Sequence, residues 1–419
     1  MNDPPFWKGQ EEVVISGVSG RFPQSSNVEE FAEHLLNGDD LVTEDDKRWP
    51  PGIYDLPKRH GKLKDLQKFD ASFFGVTPKQ ANHMDPQVRK LLEITWEAIL
   101  DSVDSACSSS LLALNLALDA IRQGQCNAAI VAGANLNLSP MTALQFWRLG
   151  MLSPAGSCRS FDESADGYCR TEGIAAILIQ RKSAARRIYF TVVHAKSDTD
   201  GYKEEGVAFP SGDRQAGLLR EVYAEAEVDP NNVAYVETHG TGTKVGDPQE
   251  AKAIAEVFCS NRTSPLLIGS VKSNMGHAEP AAGVCALAKL IVAREKGVIP
   301  PNLHHKNPNP NIPSLHDGRL RVVTEKTKFP SGIIGINSFG FGGSKTHVIL
   351  RAESTENESE NCENNELKLF LYAGRTLDGL KQILQYVQEN PSSHYFRQLL
   401  SNQVKNRIEI SEASSSNSL

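Results

Sequence analysis

The sequence predicts an α/β fold in which sheets are buried between layers of helix. Two observations support this. Short apolar runs typical of buried strands recur along the chain, and longer segments with helical periodicity lie between several of them. With 419 residues, the chain is long enough for a large core and for one or two domains. The predicted strands are 13–18, 128–134, 175–181, 233–238, 266–271 and 346–351.

Two of the helices are predicted from their terminal residues. The segment "GDPQEAKAIAEVF" offers Asp247 as the N-cap, Pro248 at the first helical position and Glu250 as the partner of a capping box. The last residue of the segment "AEPAAGVCALAKLIVAREKG" is Gly297, which is suited to the left-handed conformation that terminates helices. These termini place helices between the predicted strands.

The composition changes outside the α/β region. Residues 1–11 are predicted to be an N-terminal extension. Residues 352–366, "AESTENESENCENNE", are acidic, rich in Asn and Ser and without periodicity, and therefore predict a linker. Residues 367–419 begin with a strand-like and then a helix-like segment, which indicates the start of a second, small unit.

Charge and cysteine content restrict the classes of function. The net charge of −7 gives no support to nucleic-acid or membrane-surface binding, for which a basic patch is expected. The seven cysteines form no C-x-x-C pair, so neither a disulfide framework nor a zinc site is predicted. No signal-peptide core is present, and the apolar runs are too short to span a bilayer. We expect a reduced, cytoplasmic protein.

Cys107 is the first candidate catalytic residue. It lies in "DSACSSSL", just before an apolar segment that begins at Leu111 and that Gly124 is placed to end. A helix N-terminus favours a thiolate and lowers the pKa of the thiol, and its free N–H groups can stabilise an oxyanion. The alternative is a buried structural cysteine, which the surrounding residues alone do not exclude.

Two histidines occupy matched positions elsewhere in the chain. His239 follows a predicted strand in "ETHGTGTKVGDP", and His277 follows another in "KSNMGHAEPAAG", with Lys272 five residues before it. Loops that leave strand ends are where α/β folds place their chemistry. We therefore expect both imidazoles to lie near Cys107, with Lys272 as a supporting group.

A glycine-rich segment, "NSFGFGGSKTHVIL", precedes the last predicted strand. Gly340, Gly342 and Gly343 indicate a tight bend or a close approach of the backbone. The "GGSKT" within it is not a phosphate-binding loop, because Ser344 stands where that motif needs glycine and a strand follows. Similarly, "SDTDG" at 197–201 lacks the downstream Glu of a calcium loop, and we interpret it as a turn.

Together, "DSACSSSL", "ETHGTGTKVGDP", "KSNMGHAEPAAG" and "NSFGFGG" resemble the β-ketoacyl synthase domain of the condensing enzymes. The segments "KLKDLQKFDASFFGVTPKQANHMDPQ", "LGMLSPAGSCRSFD" and "GYCRTEG" resemble the animal-type multifunctional fatty acid synthases within that family. The resemblance covers about residues 12–351. The segment "LYAGRTLDGLKQIL" is similar to the opening of the linker domain between ketosynthase and acyltransferase.

The resemblance implies a thiolase-like fold, with layers in the order αβαβα and two mixed sheets. It implies that Cys107 accepts an acyl chain, and that His239 and His277 promote decarboxylation of a malonyl group. Lys272 and Glu237 would support them. The backbone N–H groups of Cys107 and Phe341 would form the oxyanion hole, and Gly340, Gly342 and Gly343 would form a gate loop.

The resemblance also implies the substrates and partners. Acyl and malonyl groups would arrive on the phosphopantetheine arm of an acyl carrier protein domain, and no metal or cofactor would be bound directly. Claisen condensation needs a good leaving group and a carbanion equivalent, which the thioester and decarboxylation supply. The family usually forms homodimers, so we expect a homodimer if the interface is retained.

Two departures from the family pattern stand out. Lys345 replaces a residue that is usually Asn. In addition, only "DSVDSA" separates Leu100 from Cys107, where the family has several tens of residues. Two buried helices joined so closely leave no room for a strand, although parallel sheets need strands and helices to alternate. We expect an internal deletion near Ser102–Val103 and an incomplete N-terminal half.

Three functions remain open at this point. The first is an active β-ketoacyl-carrier synthase of fatty acid synthesis with every catalytic residue present. The second is a truncated or catalytically impaired form that acts at most in binding or dimerisation. The third, an acyltransferase of the same fold outside fatty acid synthesis, is disfavoured by the subgroup motifs. Acyl chain length is not predicted, because pocket residues are expected in the missing segment.

Overall fold

The computed structural model describes residues 9–69, 71, 77–94, 104–204, 206 and 209–353, together with a few positions between 380 and 388. The chain divides into two compact units, Met1–Ser354 and Thr355–Leu419. In the second unit, the described positions are helical. The predicted junction at Ser102–Val103 and most of the predicted segments 352–366 and 367–419 lie outside the described residues, so those boundaries stay predictions.

The strands and helices of the first unit follow one another in the α/β pattern that the sequence predicts. The strands are β1 (Val13–Arg21), β2 (Val42–Glu44), β3 (Arg59–Gly61), β4 (Ala128–Asn135), β5 (Gly173–Arg181), β6 (Phe190–Thr199), β7 (Val233–Glu237), β8 (Leu266–Gly269), β9 (Val298–Ile299), β10 (Leu320–Val322), β11 (Thr327–Lys328), β12 (Gly332–Phe339) and β13 (Ser344–Ala352). The helices are α1 (Val28–Asn37), α2 (Pro78–His83), α3 (Pro86–Ile94), α4 (Ser109–Arg122), α5 (Pro140–Arg148), α6 (Gly212–Ala226), α7 (Gly246–Phe258), α8 (Lys272–Met275), α9 (Ala282–Lys296) and α10 (Pro313–His316).

The main sheet has nine strands in the order β10-β8-β7-β12-β13-β6-β1-β5-β4. Parallel pairs β10–β8, β8–β7 and β7–β12 lie at one end, and the remaining pairs are antiparallel. Strands β1 and β6 join through only two residue pairs, Val14–Thr191 and Ile15–Phe190. The two mixed sheets implied by the family are therefore two halves of one continuous sheet, linked at this short pairing.

Helices α4 and α9 lie between the two halves of the sheet. Helix α9 contacts β1, β4 and β5 on one side and β12 on the other, and α4 contacts β4, β5, β6 and β13. Helix α3 packs on β4 and β5, whereas α6 packs on β6, β13 and α7. Residues Ala282–Arg294 of α9 are all buried, as expected for a helix enclosed on all sides. The result is the αβαβα layering, with α4 and α9 as the central layer.

The two halves of the sheet share a pattern of pairing. In the C-terminal half, β13 pairs antiparallel with both β12 and β6; in the N-terminal half, β5 pairs antiparallel with both β4 and β1. Beyond β12 lie β7 and β8, but beyond β4 the described residues contain no further strand. Among the described residues, the N-terminal half of the sheet thus has fewer strands than the C-terminal half.

The six strands predicted from apolar runs are all present as β1, β4, β5, β7, β8 and β13. Gly297 ends α9 with φ +68°, and Gly124, two residues after α4, has φ +73°. The sequence did not indicate β6 or β12. The predicted capping box is wrong: α7 begins at Gly246, and Asp247 and Glu250 lie within its first turns. Among the described residues, no helix is long and apolar enough to cross a membrane.

Candidate active site

Cys107 lies in a single 3₁₀ turn, Ala106–Ser108, that leads directly into α4. Its side chain is buried, and its backbone carbonyl accepts a 2.7 Å hydrogen bond from Ser338 Oγ at the end of β12. Ser108 Oγ donates to Ser344 Oγ at 3.0 Å, just after the glycine-rich segment. Ser108 therefore connects the turn that contains Cys107 to the end of the glycine-rich segment that contains Gly340 and Gly343.

The expected lowering of the Cys107 pKa is wrong. Burial raises the pKa of the thiol well above its ordinary value, and the negative charge of Glu279 raises it further. The Phe341 N–H group and the charge of Lys272 act in the opposite direction but are weaker. Desolvation outweighs these two effects, so Cys107 is a neutral thiol near neutral pH.

His239 is positioned by two different elements. It follows β7, and its Nδ1 accepts a 3.3 Å hydrogen bond from the Phe339 N–H group at the end of β12. Its own backbone N–H donates to Glu250 Oε1 at 2.7 Å, and the N–H of Gly240 donates to Oε2 at 2.8 Å. Because Nδ1 is an acceptor, the proton of the neutral ring is on Nε2.

His277 has the same tautomer as His239, but a different backbone N–H group determines it. Its Nδ1 accepts the Glu279 N–H at 3.1 Å, and its Nε2 has no hydrogen-bond partner among the described residues although it is buried. The rings of His239 and His277 lie 5.4 Å apart at 85° to each other. Burial, followed by the charge of Lys272, lowers the pKa of both rings well below the ordinary value, so both are neutral donors.

These groups line a cavity of about 380 Å³. Cys107, His239, His277, Gly340 and Phe341 all form part of its wall. Gly340 is required by space, since a Cβ atom there would lie 2.7 Å from the Ser105 carbonyl oxygen; Gly343 is required by its φ of +93°. A Cβ atom at Gly342 would meet nothing within 4 Å. The side chain of Phe341 is 39% exposed, which places it at the mouth of the cavity.

Lys272 and Glu237 lie behind the cavity wall. Glu237 is completely buried and accepts hydrogen bonds from Lys289 Nζ at 2.6 Å, from Tyr235 Oη at 2.8 Å and from the Val271 N–H at 2.7 Å. It therefore fixes Val271, the residue just before Lys272 at the start of α8. Burial lowers the pKa of Lys272, and the charge of Glu237 partly offsets this effect.

Lys345 faces the site and not solvent. It is 2% exposed, forms part of the cavity wall, and its Nζ lies 2.7 Å from Asp200 Oδ1 and 3.3 Å from Asp198 Oδ2. Asp200 is also paired with Lys203 at 2.7 Å. The "SDTDG" segment is therefore the end of β6 and its exit, and its carboxylates compensate the charge that Lys345 brings to the cavity.

Three acidic residues close to the site were not predicted as functional. Glu250 holds the backbone of His239, as described above. Asp247 accepts the Phe161 N–H at 2.7 Å and the Gly242 N–H at 3.0 Å, and burial raises its pKa to about 7. Glu279 lies next to Cys107. In the sequence, Asp247 and Glu250 lie in "GDPQE", a few residues after His239, and Glu279 lies in "HAEP", two residues after His277. This closeness to the candidate histidines is the sequence feature that could have identified them.

One grouping of side chains among the described residues has the spacing of a metal site: atoms of Cys107, His277 and Glu279 lie within 4.8 Å of one another. However, Arg170 Nε lies 3.2 Å from Glu279 Oε1, and the positive charge of Lys272 acts on Cys107. These cations already compensate the charge that would attract a divalent ion. We assign no metal to this grouping. The described cysteines are all free thiols.

Comparison with protein families gives three matches. The model of the β-ketoacyl synthase N-terminal domain matches residues 10–102 and 101–185, and that of the C-terminal domain matches residues 189–306. A ketoacyl-synthetase C-terminal extension matches residues 308–413. The chain belongs to the β-ketoacyl synthase family.

Relatives of this ketosynthase include synthases of two kinds. It is 50% identical over 351 residues to a fatty acid synthase sequence from Anser anser anser, an alignment that covers 69% of the chain and all of that sequence. It is 34% identical over 435 residues to a highly reducing polyketide synthase of Neurospora crassa, covering 82% of the chain but 18% of that relative. The chain therefore spans only a small part of this polyketide synthase.

Solved structures support the fold. The ketosynthase from module 6 of the bacillaene synthase of Bacillus subtilis 168 superposes with a TM-score of 0.83 at 28% identity, over 92% of this chain and 78% of that chain. An oxazolomycin ketosynthase domain from Streptomyces albus superposes with a TM-score of 0.82 at 28% identity, over 92% and 81%. The ketosynthase thus has the thiolase-like fold, as the sequence predicts. No finding supports the alternative of a catalytically impaired form.

Proposed function

We propose that this ketosynthase performs the condensation step of fatty acid synthesis, with Cys107 as acyl acceptor and His239 and His277 as the decarboxylation pair. One observation carries the proposal: the thiol and two neutral imidazoles, from three separate parts of the chain, line a single cavity. A nucleophile and two hydrogen-bond donors in a buried pocket are the groups that acyl transfer and enolate stabilisation require.

In the first half-reaction, Cys107 Sγ attacks the carbonyl carbon of an acyl thioester and the carrier thiol departs. The tetrahedral oxyanion needs donors close to Sγ. The Phe341 N–H group lowers the pKa of the thiol and is one such donor, and Cys107 supplies its own backbone N–H. The bend at Gly340 brings this loop against the nucleophile turn. Phe341, at the cavity mouth, is placed to act as part of a gate.

In the second half-reaction, a malonyl thioester replaces the departed carrier and loses CO₂. The developing enolate oxygen accepts hydrogen bonds from the Nε2–H groups of His239 and His277. Neutral imidazoles suit this role, because they donate hydrogen bonds without the proton being transferred to the enolate. The enolate carbon then attacks the carbonyl carbon of the acyl group on Cys107 and forms the carbon–carbon bond. The carbon–sulfur bond to Cys107 breaks, and the departing thiolate takes up a proton from water to regenerate the thiol.

We infer that the acyl and malonyl groups reach the cavity on a phosphopantetheine arm of an acyl carrier protein domain. The cavity supports this, since Thr241 and Thr243 offer hydroxyl groups along its wall, whereas Leu149, Met151 and Val245 offer apolar surface. An arm of alternating amide and methylene character needs both kinds of contact. We also propose a homodimer and a cytoplasmic location, on the family resemblance.

We further infer that this chain lacks a segment between α3 and Cys107. Two observations support the inference: the N-terminal family model matches in two stretches that meet at residues 101–102, and β4 lacks the neighbours that β12 has. Sequencing the transcript across codons 102–103 tests it. An uninterrupted reading of the present codons supports a genuine deletion, whereas extra codons at this point would show that the segment exists.

Acyl-enzyme formation tests the proposed function. The purified chain is incubated with an octanoyl-pantetheine thioester, and peptides are analysed by mass spectrometry for an octanoyl adduct. We expect the adduct on Cys107 and its loss in Cys107→Ala. Cys158→Ala, which removes another buried thiol, is the matched control and should retain it. Soluble, folded protein that forms no adduct on Cys107 would overturn the proposal.

A further inference from the structure

Glu279 is the side chain in closest polar contact with the nucleophile. Cys107 Sγ lies 3.6 Å from Glu279 Oε2, within hydrogen-bonding distance for sulfur, and both side chains are buried. The other carboxylate oxygen, Oε1, accepts from Tyr168 Oη at 3.1 Å and lies 3.2 Å from Arg170 Nε. The two carboxylate oxygens therefore have different partners. Oε1 is held by Tyr168 and Arg170, and Oε2 faces the thiol.

The backbone around this contact is constrained on both sides. Glu279 has a φ of +46° and Ala106, which precedes the nucleophile, has a φ of +55°. The left-handed region is unfavourable for residues with a side chain, and such residues persist where the surrounding structure holds them. Both residues lie at the contact: Glu279 supplies the carboxylate, and Ala106 directly precedes Cys107. This is the pattern expected of a functional pair.

The other titratable groups around the thiol are not able to accept its proton. Nδ1 of His277 and of His239 already accept backbone N–H groups, and their Nε2 atoms carry the ring protons. Among the described residues, neither Lys272 nor Arg170 forms a hydrogen bond with Sγ. Burial raises the pKa of Tyr168 well above its ordinary value, so it stays a neutral donor. Among the described side chains, Glu279 is thus the acceptor that reaches Sγ.

We propose that Glu279 is the general base that removes the Cys107 thiol proton during acyl transfer. As the Sγ–carbonyl carbon bond forms, the proton passes from Sγ to Oε2. When the carbon–sulfur bond to the carrier breaks, Oε2 returns the proton to the leaving sulfur, so no net proton is gained or lost. This role rests on the proposed acyl transfer to Cys107, and it assigns a catalytic residue beyond the Cys–His–His set.

The physical environment favours this role. Because Cys107 rests as a neutral thiol, attack on a thioester requires proton removal at the same time. Burial raises the pKa of the Glu279 carboxyl above its ordinary value, which makes the carboxylate a stronger base near neutral pH. The positive charge of Arg170 opposes part of that rise in pKa and so favours the ionised carboxylate. The Oε1 contacts then orient a lone pair of Oε2 toward Sγ.

The pH dependence of Cys107 alkylation by iodoacetamide tests the proposal without any acyl substrate. Internal proton transfer from thiol to carboxylate does not change the total protonation of the pair. The wild-type rate should therefore be level with pH above the pKa of Glu279 and below that of the thiol. In Glu279→Gln the rate should instead rise about tenfold per pH unit, as for a thiol that ionises to solvent. Identical slopes in the two proteins would overturn the proposal.

Single-turnover acylation by octanoyl-pantetheine provides the second measurement. Glu279→Gln should lower the rate of acyl-Cys107 formation by about 100-fold, the lower range for loss of a general base. Glu279→Asp, which keeps a carboxylate, should retain more activity than the Gln variant. Glu325→Gln, at an exposed site, is the matched control and should leave the rate unchanged. Circular dichroism and thermal unfolding verify that each variant is folded.

The two measurements separate this proposal from the proposed function. If wild-type protein forms no acyl adduct but shows the level alkylation profile that Gln abolishes, acyl transfer is wrong and the Glu279–Cys107 proton relationship stands. If acylation proceeds and Glu279→Gln acylates at the wild-type rate, the general-base role is wrong and the nucleophile assignment stands.

Discussion

The rings of His239 and His277 are nearly perpendicular, with centroids 5.4 Å apart, and each ring accepts a backbone N–H at Nδ1. The two donors of those hydrogen bonds come from different elements: Phe339 from the end of β12, and Glu279 from the 3₁₀ turn just before α9. The shared tautomer is therefore built into the backbone and does not depend on a neighbouring side chain. Both rings offer Nε2–H as the donor, which is what a developing enolate needs.

Replacing either histidine should reduce decarboxylation more than thiol reactivity. His277→Ala and His239→Ala each remove one donor to the enolate oxygen, and loss of such a donor typically lowers the rate by about 100- to 1000-fold. Release of CO₂ from malonyl-pantetheine measures this step. His316→Ala, at an exposed position, is the control. Normal CO₂ release by either active-site variant would remove that residue from the proposed pair.

Glu250→Gln should impair the site through the position of His239. The carboxylate accepts the His239 and Gly240 N–H groups and the Asn337 amide, and an amide side chain has only one oxygen to replace two. We expect CO₂ release to fall by about 10- to 100-fold, because small displacements of catalytic groups are costly. Glu256→Gln, on the exposed face of the same helix, should have no such effect. An unchanged rate in Glu250→Gln would show that the loop holds its position without this carboxylate.

Stability should decrease as the pH falls below about 6.5, in part because of His347. Burial lowers the pKa of His347 to about 3, so between that value and 6.5 the unfolded chain binds a proton that the folded chain does not. The free energy of unfolding then falls by about 1.4 kcal/mol per pH unit for this residue. Urea unfolding of wild type and His347→Gln at pH 6.5 and pH 5.5 should show a shallower decrease in the variant.

The comparison of the two slopes isolates His347 from the other buried groups. His60, whose pKa burial also lowers to about 3, acts in the same direction, whereas Asp247, with a pKa raised to about 7, acts in the opposite one. Both are present in the two proteins and cancel in the difference. Equal pH slopes would mean that His347 is protonated in the folded state.

Lys345→Met should lower the free energy of unfolding of the protein. The substitution leaves Asp200 buried with Lys203 as its remaining cation, and removes a 2.7 Å ion pair. Loss of one partner of a buried charged pair costs about 1–3 kcal/mol. Urea unfolding measures the change, with the exposed Lys328→Met as control. A variant as stable as wild type would show that Lys203 alone compensates Asp200.

Amide hydrogen exchange should distinguish β4 from β5. Strand β5 is paired on both sides, whereas β4 has β5 as its one neighbour among the described residues. Backbone N–H groups on an open strand edge lack partners, so alternate amides of Ala128–Asn135 should exchange quickly while those of β5 stay protected. Uniform protection along β4 would indicate that another strand covers its edge.

The stretches that line the candidate site could be predicted because each is short and local. Cys107, His239 and His277 each stand where an apolar run meets small or polar residues, and the strands and helices on either side were found from periodicity. Strand β6 was not found, because its sequence "FTVVHAKSDT" mixes apolar and charged residues and ends in the aspartates that pair with Lys345. Strand β12 was obscured by the glycines that follow it.

The interactions that link these stretches could not be predicted, since they depend on register and on unusual backbone conformation. Lys345 reaches Asp198 and Asp200 because β13 and β6 pair antiparallel with Lys345 opposite Asp198. Glu279 reaches Cys107 because its φ is +46°, which no propensity favours for Glu. The predicted fall in the Cys107 pKa failed for a similar reason: it considered the helix terminus but not the depth of burial or the facing carboxylate.

The packing of α4 against α9 bears on how the site forms during folding. A Cβ atom at Gly283 would lie 2.6 Å from Leu111 Cγ, and one at Gly133 would lie 2.9 Å from the Cα of Ala281, so glycines allow the two central helices and β4 to meet closely. Cys107 and His277 are far apart in sequence, and the helices that follow them, α4 and α9, pack together at this contact. The site should therefore be absent from early compact intermediates and appear with the slow, long-range docking of the two halves. In refolding experiments, recovery of Cys107 acylation would report that docking and not the earlier collapse of either half.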